Sequence, residues 1–489
     1  MGAKKSELGR EENHLVKATL IVNDTKISGV PCKIYLPERI HEKPYLILKP
    51  SKDDATSLMV SHKGALQANV VGFNNEIQIS FEAPEVYFSG SFTKYWGDDI
   101  SDNTIPGEPQ DLHLIQYFKA DESPEKTRIV FWVSANPVLT PFMSQISSYT
   151  GDLEYKRALN VEFTLTDKIK LVFDKHFRSK TAKNGDFIQW SFLVACAEID
   201  SPAADAETIK KEVLPDIDDF LLIASFAARQ RTACLGWAAS DQKSQTTFYR
   251  GNYVFPHVDR DVDRNDTLID ISNIERFMQT CYPIFLQYEN KLALRNALNS
   301  IVPSQFSVLE VSFLNMFAGL ETLILDFRRR ESHEFVLPEN NWAVLKTYLQ
   351  KCIKQSTEPK LKKQERNSMY CKLEELNRVS LREAFDLFCN NHSIYLADLW
   401  PVFKENGQVG LADIRNRIIH GDPFHHDMMY PYPLIIANEH LKYVLERVLL
   451  RVLQWSLQET KVNPAYLQMN TLTIKDMLSE RAKLSEYIC

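Results

Sequence analysis

The chain has 489 residues, a formal net charge of −7, 44% hydrophobic and 25% charged residues. That length admits two or three domains, and that hydrophobic content excludes a disordered chain. The acidic balance excludes a protein coated in basic surface for bulk nucleic-acid binding, while leaving room for a local patch that holds a few phosphates.

The first fourteen residues, MGAKKSELGREENH, are polar and charged, with no apolar core of a secretory signal. Met1-Gly2-Ala3-Lys4-Lys5-Ser6 matches the short myristoylation pattern, against the plainer reading of a frayed terminus. From about residue 15 to about 205 the apolar period is two. Ile77, Ile79 and Phe81 alternate with polar residues, as do Ile129, Phe131 and Val133, and Val161, Phe163 and Leu165. Turn signals at Phe73-Asn74-Asn75, Ile105-Pro106-Gly107 and Lys183-Asn184-Gly185 separate the strands. With few helical repeats between them, an antiparallel sandwich or barrel is favoured over alternating α/β order, and a β-sandwich is the expectation. Tyr87, Phe88, Tyr95 and Trp96 could line a groove, although sandwich cores are rich in aromatics anyway. Residues 220–228 read as a short buried helix, and 232–239 and 246–255 as further strands. The apolar stretch at 220–228 is also the longest, far below a membrane span, so the chain is expected to be cytoplasmic and without membrane contact.

After about residue 270 the period becomes helical and stays so. Phe306, Leu309, Phe313, Phe317, Leu320, Ile324 and Phe327 recur at spacings of three and four, giving one helix a broad apolar stripe. Ser307 and Glu310 have capping-box spacing at its start, and Arg328-Arg329-Arg330 suits its negative end. Further helices are expected over 342–352, 364–379, 381–389 with Ser380 and Glu383 as a cap, 434–457 and 473–487. The fold class is therefore α+β: a β-rich, sandwich-like domain over 1–290 and an all-α domain over 291–489. Eight cysteines are scattered without a CxxC pair, as expected of reduced thiols rather than of a zinc knuckle or a disulfide framework.

No phosphate-binding GxxxxGK[ST] loop, dinucleotide GxGxxG, zinc-binding HExxH or GxSxG elbow is present. What stands out is Leu411-Ala412-Asp413-Ile414-Arg415-Asn416-Arg417-Ile418-Ile419-His420-Gly421-Asp422-Pro423, which reads as the last turns of a helix closed by Gly421 in a left-handed cap. At about 100° per residue Leu411, Ile414, Ile418 and Ile419 share one arc, and Asp413, Asn416, Arg417 and His420 the other. Asn416 and His420 are neighbours one turn apart. Arg415 falls within the apolar arc, where an unpaired guanidinium is costly, so it should meet a carboxylate or point along a crevice toward an anion. His420 sits where helix carbonyls favour an imidazolium. An arginine and a histidine converging on one phosphate suffice for RNA cleavage without a metal, the 2′-oxygen attacking phosphorus while an acid protonates the leaving 5′-oxygen. A capped helix end with an ion-paired arginine remains the plain structural alternative.

The run Arg415-Asn416-Arg417-Ile418-Ile419-His420 resembles the R-N-x-x-x-H signature of HEPN domains, helical nucleases of toxin and phage-defence systems. The upstream Phe317-Ala318-Gly319-Leu320-Glu321-Thr322-Leu323 is similar to the family's helix with a Leu-Glu pair, and the likeness extends over about 300–460. A β-rich N-terminal half joined to such a domain resembles the ApeA-like anti-phage proteins. The resemblance implies a metal-independent endoribonuclease without cofactor, acting as a homodimer whose motifs face one another and causing abortive infection. It implies Arg415, Asn416 and His420 as the catalytic set, with Glu321 the candidate partner of Arg415. RNA would be the substrate, tRNA the first candidate, with the N-terminal domain sensing an unknown phage trigger or restraining the nuclease. Arg417 and a basic stretch holding Lys351, Lys354, Lys360, Lys362, Lys363 and Arg366 are candidates to track an RNA backbone, or an ordinary charged surface. His425, His426 and Asp427 follow the motif, but adjacent histidines rarely share one ion, so a solvated loop is preferred over a metal site. The rival reading is a non-catalytic dimerisation or nucleotide-binding helical module beside a sandwich that binds carbohydrate or peptide.

Overall fold

The computed structural model describes residues 13–22, 25–36, 43–51, 66–76, 78–88, 105–118, 126–140, 143–147, 153–157, 161–166, 169–181, 187–200, 203, 205–251, 266–302, 308–421 and 432–488. The chain divides into two compact units, Met1–Gln279 with Ser304–Phe306, and Thr280–Pro303 with Ser307–Cys489.

The first unit is built on one antiparallel sheet of thirteen strands. Its strands β1 (Asn13–Val22), β2 (Thr25–Tyr35), β3 (Tyr45–Leu48), β4 (Leu66–Asn74), β5 (Ile79–Phe88) and β6 (Ile105–Glu108) run in the order β5-β4-β1-β2-β3-β6. Because β6 also pairs with β5, through Tyr87 opposite Glu108 and Phe88 opposite Gly107, these six close into a barrel. The expected sandwich is therefore corrected to a sheet that rolls up at one end. Alternating apolar residues are required by both architectures, each needing one face inward, so the alternation alone does not separate them.

Closure depends on β5, where the inward side chains are Ile79, Phe81 and Ala83, then Val86 and Phe88. The change from odd to even positions is a bulge at Pro84-Glu85: Ala68 faces Val86 while Val70 faces Ala83, so three residues of β5 span two of β4. Glu85 has φ of 51°, and its N–H donates to Asn69 Oδ1 at 3.0 Å. Before the bulge β5 pairs with β7 (Asp111–Tyr117), and beyond it with β6. The segment Ile105-Pro106-Gly107, expected as a turn, is thus the closing strand. Gly107 belongs there because a Cβ would lie 2.5 Å from the Phe88 ring and 2.7 Å from Val86 Cγ1. Phe88 packs inside the barrel, whereas Tyr87 is 42% exposed and its hydroxyl accepts from Gln110. Tyr95 and Trp96 lie outside the described residues, as does the turn signal at Lys183.

The sheet continues past the barrel through β7, β15 (Ser244–Arg250), β14 (Cys234–Ser240), β8 (Thr127–Val133), β13 (Phe187–Ile199), β12 (Ile169–Thr181) and β11 (Val161–Thr166), while β9 (Met143–Ser147) and β10 (Leu153–Arg157) form a separate ribbon. Helix α1 (Leu214–Ala228) is buried along most of its length and lays Phe220 against Phe163 and Phe173. His113 of β7 meets the edges of Trp237 and Phe248. Burial, followed by the Lys210 charge, pushes its imidazole down to about 4.

The division between units falls inside α2 (Ile274–Gln287). The second unit is all-helical: α3 (Lys291–Ile301), α4 (Leu309–Arg330), α5 (Glu339–Gln355), α6 (Lys363–Leu376), α7 (Leu381–Asn391), α8 (Leu411–Ile419), α9 (Tyr432–Val452), α10 (Pro464–Asn470) and α11 (Leu472–Ile488). Helix α4 packs against α3, α7, α8 and α9 through its apolar stripe, which includes Phe313, Phe317, Leu320 and Ile324. It begins after Val308, which provides no side-chain cap, and Ser307 is outside the described residues. Ser380 does cap α7, its hydroxyl accepting from the Glu383 N–H at 3.1 Å. Among the described residues no helix is long and apolar enough to cross a membrane, and none of the cysteines is in a disulfide.

Candidate active site

The motif occupies a separate helix of nine residues, not the last turns of a longer one. Helix α8 starts at Leu411 because the preceding loop supplies acceptors for its free N–H groups: Leu411 donates to the Pro401 carbonyl at 3.0 Å and Ala412 to that of Val402 at 2.8 Å. Asp413 closes the same turn by accepting from the Gly410 N–H at 2.7 Å. At the other end Gly421 takes φ of 72°, the left-handed conformation that suits glycine, and donates to the Ile418 carbonyl at 3.1 Å. Leu411 and Ile414 are fully buried and fix the rotation of the helix. Ile419, placed on the apolar arc by its periodicity, is 51% exposed. At about 80° from Leu411 it lies past the edge of the packed face in so short a helix.

This rotation sets Arg415 at the margin of the contact with α4. Its Nη2 donates to Glu321 Oε2 at 3.0 Å, and its Nη1 to Asn416 Oδ1 at 3.0 Å. The guanidinium carbon stands 5.8 Å from the ring centre of Phe317, one turn before Glu321 on α4 and itself buried. Phe317 and Glu321 thus form a floor and a wall for the cation, each on a side chain held by the bundle. The Arg415 side chain remains 30% exposed and Glu321 22%. Its other N–H groups have no partner among the described residues, so they are open to an anion approaching from solvent.

Asn416 is exposed, with its carbonyl engaged by Arg415 and its NH2 free to donate. His420 follows one turn later on the same face, exposed, its backbone N–H donating to the Asn416 carbonyl at 3.0 Å. No described residue engages its imidazole. The structure therefore brings Glu321, Arg415 and Asn416 into one hydrogen-bonded chain with His420 unengaged beside it. Arg417 is half-buried on the Asp413 side of the helix. Lys351, Lys354, Lys362 and Lys363 are elsewhere, exposed on α5 and around the start of α6, and none bonds to a residue of α8. The contribution of Phe317 was not foreseen, although its spacing of four from Glu321 on one helix face was a usable signal.

Not every polar group on α4 is open in this way. Asp326 is 5% exposed and accepts from Asn290 at 2.7 Å, from Tyr288 at 3.1 Å and from Arg330 at 3.0 Å. Burial, with a further push from Asp326, raises the Tyr288 hydroxyl to about 12, so the phenol stays protonated and donates to Asp326, a carboxylate enclosed where Glu321 is partly open. Among the described residues no group of three or more His, Cys, Asp or Glu is arranged to hold a metal ion, and His425, His426 and Asp427 lie outside those residues.

Comparison with protein-family models, with curated proteins and with solved structures found no match.

Proposed function

We propose that the helical unit is a metal-independent endoribonuclease of the HEPN type, acting as a homodimer in which Arg415, Asn416 and His420 carry the chemistry. The observation that supports this most is the half-open arginine: Arg415 is oriented by Glu321 and Phe317, yet presents unpartnered N–H groups to solvent beside an unengaged imidazole. A cation fixed in direction and left with spare donors can take a phosphate oxygen without first breaking an existing bond.

In the proposed reaction a base takes the proton of an RNA 2′-hydroxyl and the oxygen attacks phosphorus. The bond from phosphorus to the 5′-oxygen breaks, and an acid protonates that oxygen, leaving a 2′,3′-cyclic phosphate and a 5′-hydroxyl end. Arg415 holds the non-bridging oxygens as charge builds on them, and the Asn416 NH2 donates to the same phosphate or orients His420. His420 transfers the proton. A facing second copy supplies the other imidazole, so that one acts as base and the other as acid. Within this reading the β-rich unit senses a phage signal or restrains the nuclease, the consequence is abortive infection, and tRNA is the first RNA to examine.

The test is growth of cells carrying the wild type, Arg415→Ala or His420→Ala, with and without phage, coupled to sequencing of RNA ends. Protection and new ends with cyclic phosphates from the wild type alone are expected, and the same ends should form in vitro in excess chelator. Folded variants that protect as well as the wild type would overturn the reading and leave the helical unit a binding or dimerisation module.

A further inference from the structure

Helices α5 and α6 form an antiparallel hairpin that buries little: Trp342 and Leu373 are its only side chains buried in the interior. Its strut is nonetheless ordered along its length. Trp342 Nε1 donates to Glu374, which also pairs with Lys346, near the base; Tyr370 donates to the Gln350 carbonyl halfway; and the Ser356 hydroxyl donates to the Pro359 carbonyl at the tip. The base is pinned to the C-terminal end of α4, where Arg328 donates to the Val379 carbonyl at 2.9 Å and Val336 to that of Asn377 at 2.8 Å.

In a chain of net charge −7, residues 351–366 hold six Lys or Arg against two Asp or Glu. Among the described residues none of those six cations, Lys351, Lys354, Lys360, Lys362, Lys363 and Arg366, has an ion-pair partner. Like charges crowded at one tip repel, and the excess of four over the two carboxylates attracts an anion from outside. Tyr348, 63% exposed, lies one turn before Lys351 on the same face of α5. An exposed ring next to cations is the combination that stacks a base while holding its backbone.

We infer that this tip grips the RNA backbone at a distance from the cut, so that the protein selects RNAs long enough to span from Arg415 to the hairpin. The inference rests on the ribonuclease reading for the identity of the polyanion. The span follows from helix lengths. Glu321 and Arg328 are separated by about 10 Å along α4, and α5 extends about 25 Å from its base, so the tip stands roughly 15 to 35 Å from Arg415. At about 3.4 Å per nucleotide of stacked strand that is roughly five to ten nucleotides. A four-nucleotide stacked strand covers about 14 Å and falls short of that range.

The experiment uses the full-length protein with Lys351→Gln, Lys354→Gln, Lys362→Gln and Lys363→Gln combined, and the matching four Lys→Arg changes as the rescue variant. All four side chains are exposed, so unchanged thermal unfolding is expected. Binding of a labelled twenty-nucleotide RNA, followed in the Arg415→Ala background to prevent turnover, should weaken about 100-fold at low salt. The slope of log affinity against log salt should become shallower by about three, and the arginine variant should restore both. In cleavage the preference for the long RNA over a four-nucleotide one should collapse through KM. An unchanged slope and an unchanged length preference in an active, folded variant overturn the hairpin inference while leaving the ribonuclease standing. Salt-dependent RNA binding that the glutamines abolish, in a wild type that cuts nothing, supports the hairpin and overturns the ribonuclease. Retention of a protein partner with no RNA binding overturns the inference.

Discussion

Two arginine–carboxylate pairs in the helical unit are used in opposite ways. Arg447 on α9 is 0% exposed, and its donors are spent on the Asp398 carboxylate, with Nη2 at 2.7 Å from Oδ2, and on the carbonyls of Val462 at 2.8 Å and Tyr395 at 3.0 Å. Arg415 on α8 has one carboxylate contact, one carboxamide contact and an aromatic floor, with the rest facing solvent. Both are arginine–carboxylate pairs at similar distances; what separates a clamp from a candidate anion site is how many donors remain unspent.

Removing each arginine should expose that contrast. Arg447→Ala leaves Asp398 and two carbonyls without their donor and should destabilise the protein by about 3–5 kcal/mol, read by chemical denaturation. Arg415→Ala should lower RNA cleavage by about 10²–10³-fold, with stability changed by no more than about 1 kcal/mol because the pair is partly exposed. A large loss of stability on removing Arg415, or none on removing Arg447, would erase the distinction. The same comparison can be made between two histidines. His420 stands free at a helix end, whereas His113 is half-buried beside Trp237 and Phe248, and its folded pKa of about 4 is below the ordinary unfolded value. The unfolded chain therefore binds the extra proton first, so the stability from a neutral His113 is full above about pH 6.5 and is lost as pH falls toward 4, on the order of 2 kcal/mol. Denaturation at pH 7.5 and 4.5 should show that difference in the wild type and a smaller one in His113→Leu. The smallest expected effect is that of Glu321→Gln. It keeps a hydrogen bond to Arg415 but removes the charge, and should slow cleavage about tenfold, close to 1.4 kcal/mol, with little change in melting temperature.

The sequence carried the helical unit in more detail than the β-rich one. Ser380 and Glu383 located a helix start, and Gly421 a helix end, because caps are local chemistry. The spacing of Arg415, Asn416 and His420 on α8 was legible from the helical period, and Glu321 was readable as a carboxylate on an apolar helix; their meeting depends on the packing of α4 against α8. In the β-rich unit the strands were readable and their closure was not. Whether β5 meets β7 along its whole length, or leaves it for β6, is decided by the one-residue bulge at Glu85 and by the space beside Gly107; the bulge shows in sequence as a slip from odd to even apolar positions, which does not say which strand is met beyond it. The Pro106-Gly107 pair has the chemistry of a turn, and only its neighbours across the barrel make it a strand.

The bulge in β5 also determines which kinds of sequence change this unit can absorb. Glu85 is itself exposed and shifts the phase between two runs of inward-facing residues. Glycine or asparagine at this position would ease its positive φ, and β-branched side chains would strain it. Deleting the residue would place Ala83 and Val86 two positions apart, so both runs would still face inward in a regular strand, and what would be lost is the local bend that takes β5 from β7 to β6. A change of length here would thus leave the inward set intact and act on which neighbour the second half of β5 meets, even though the residue concerned makes no contribution to the core.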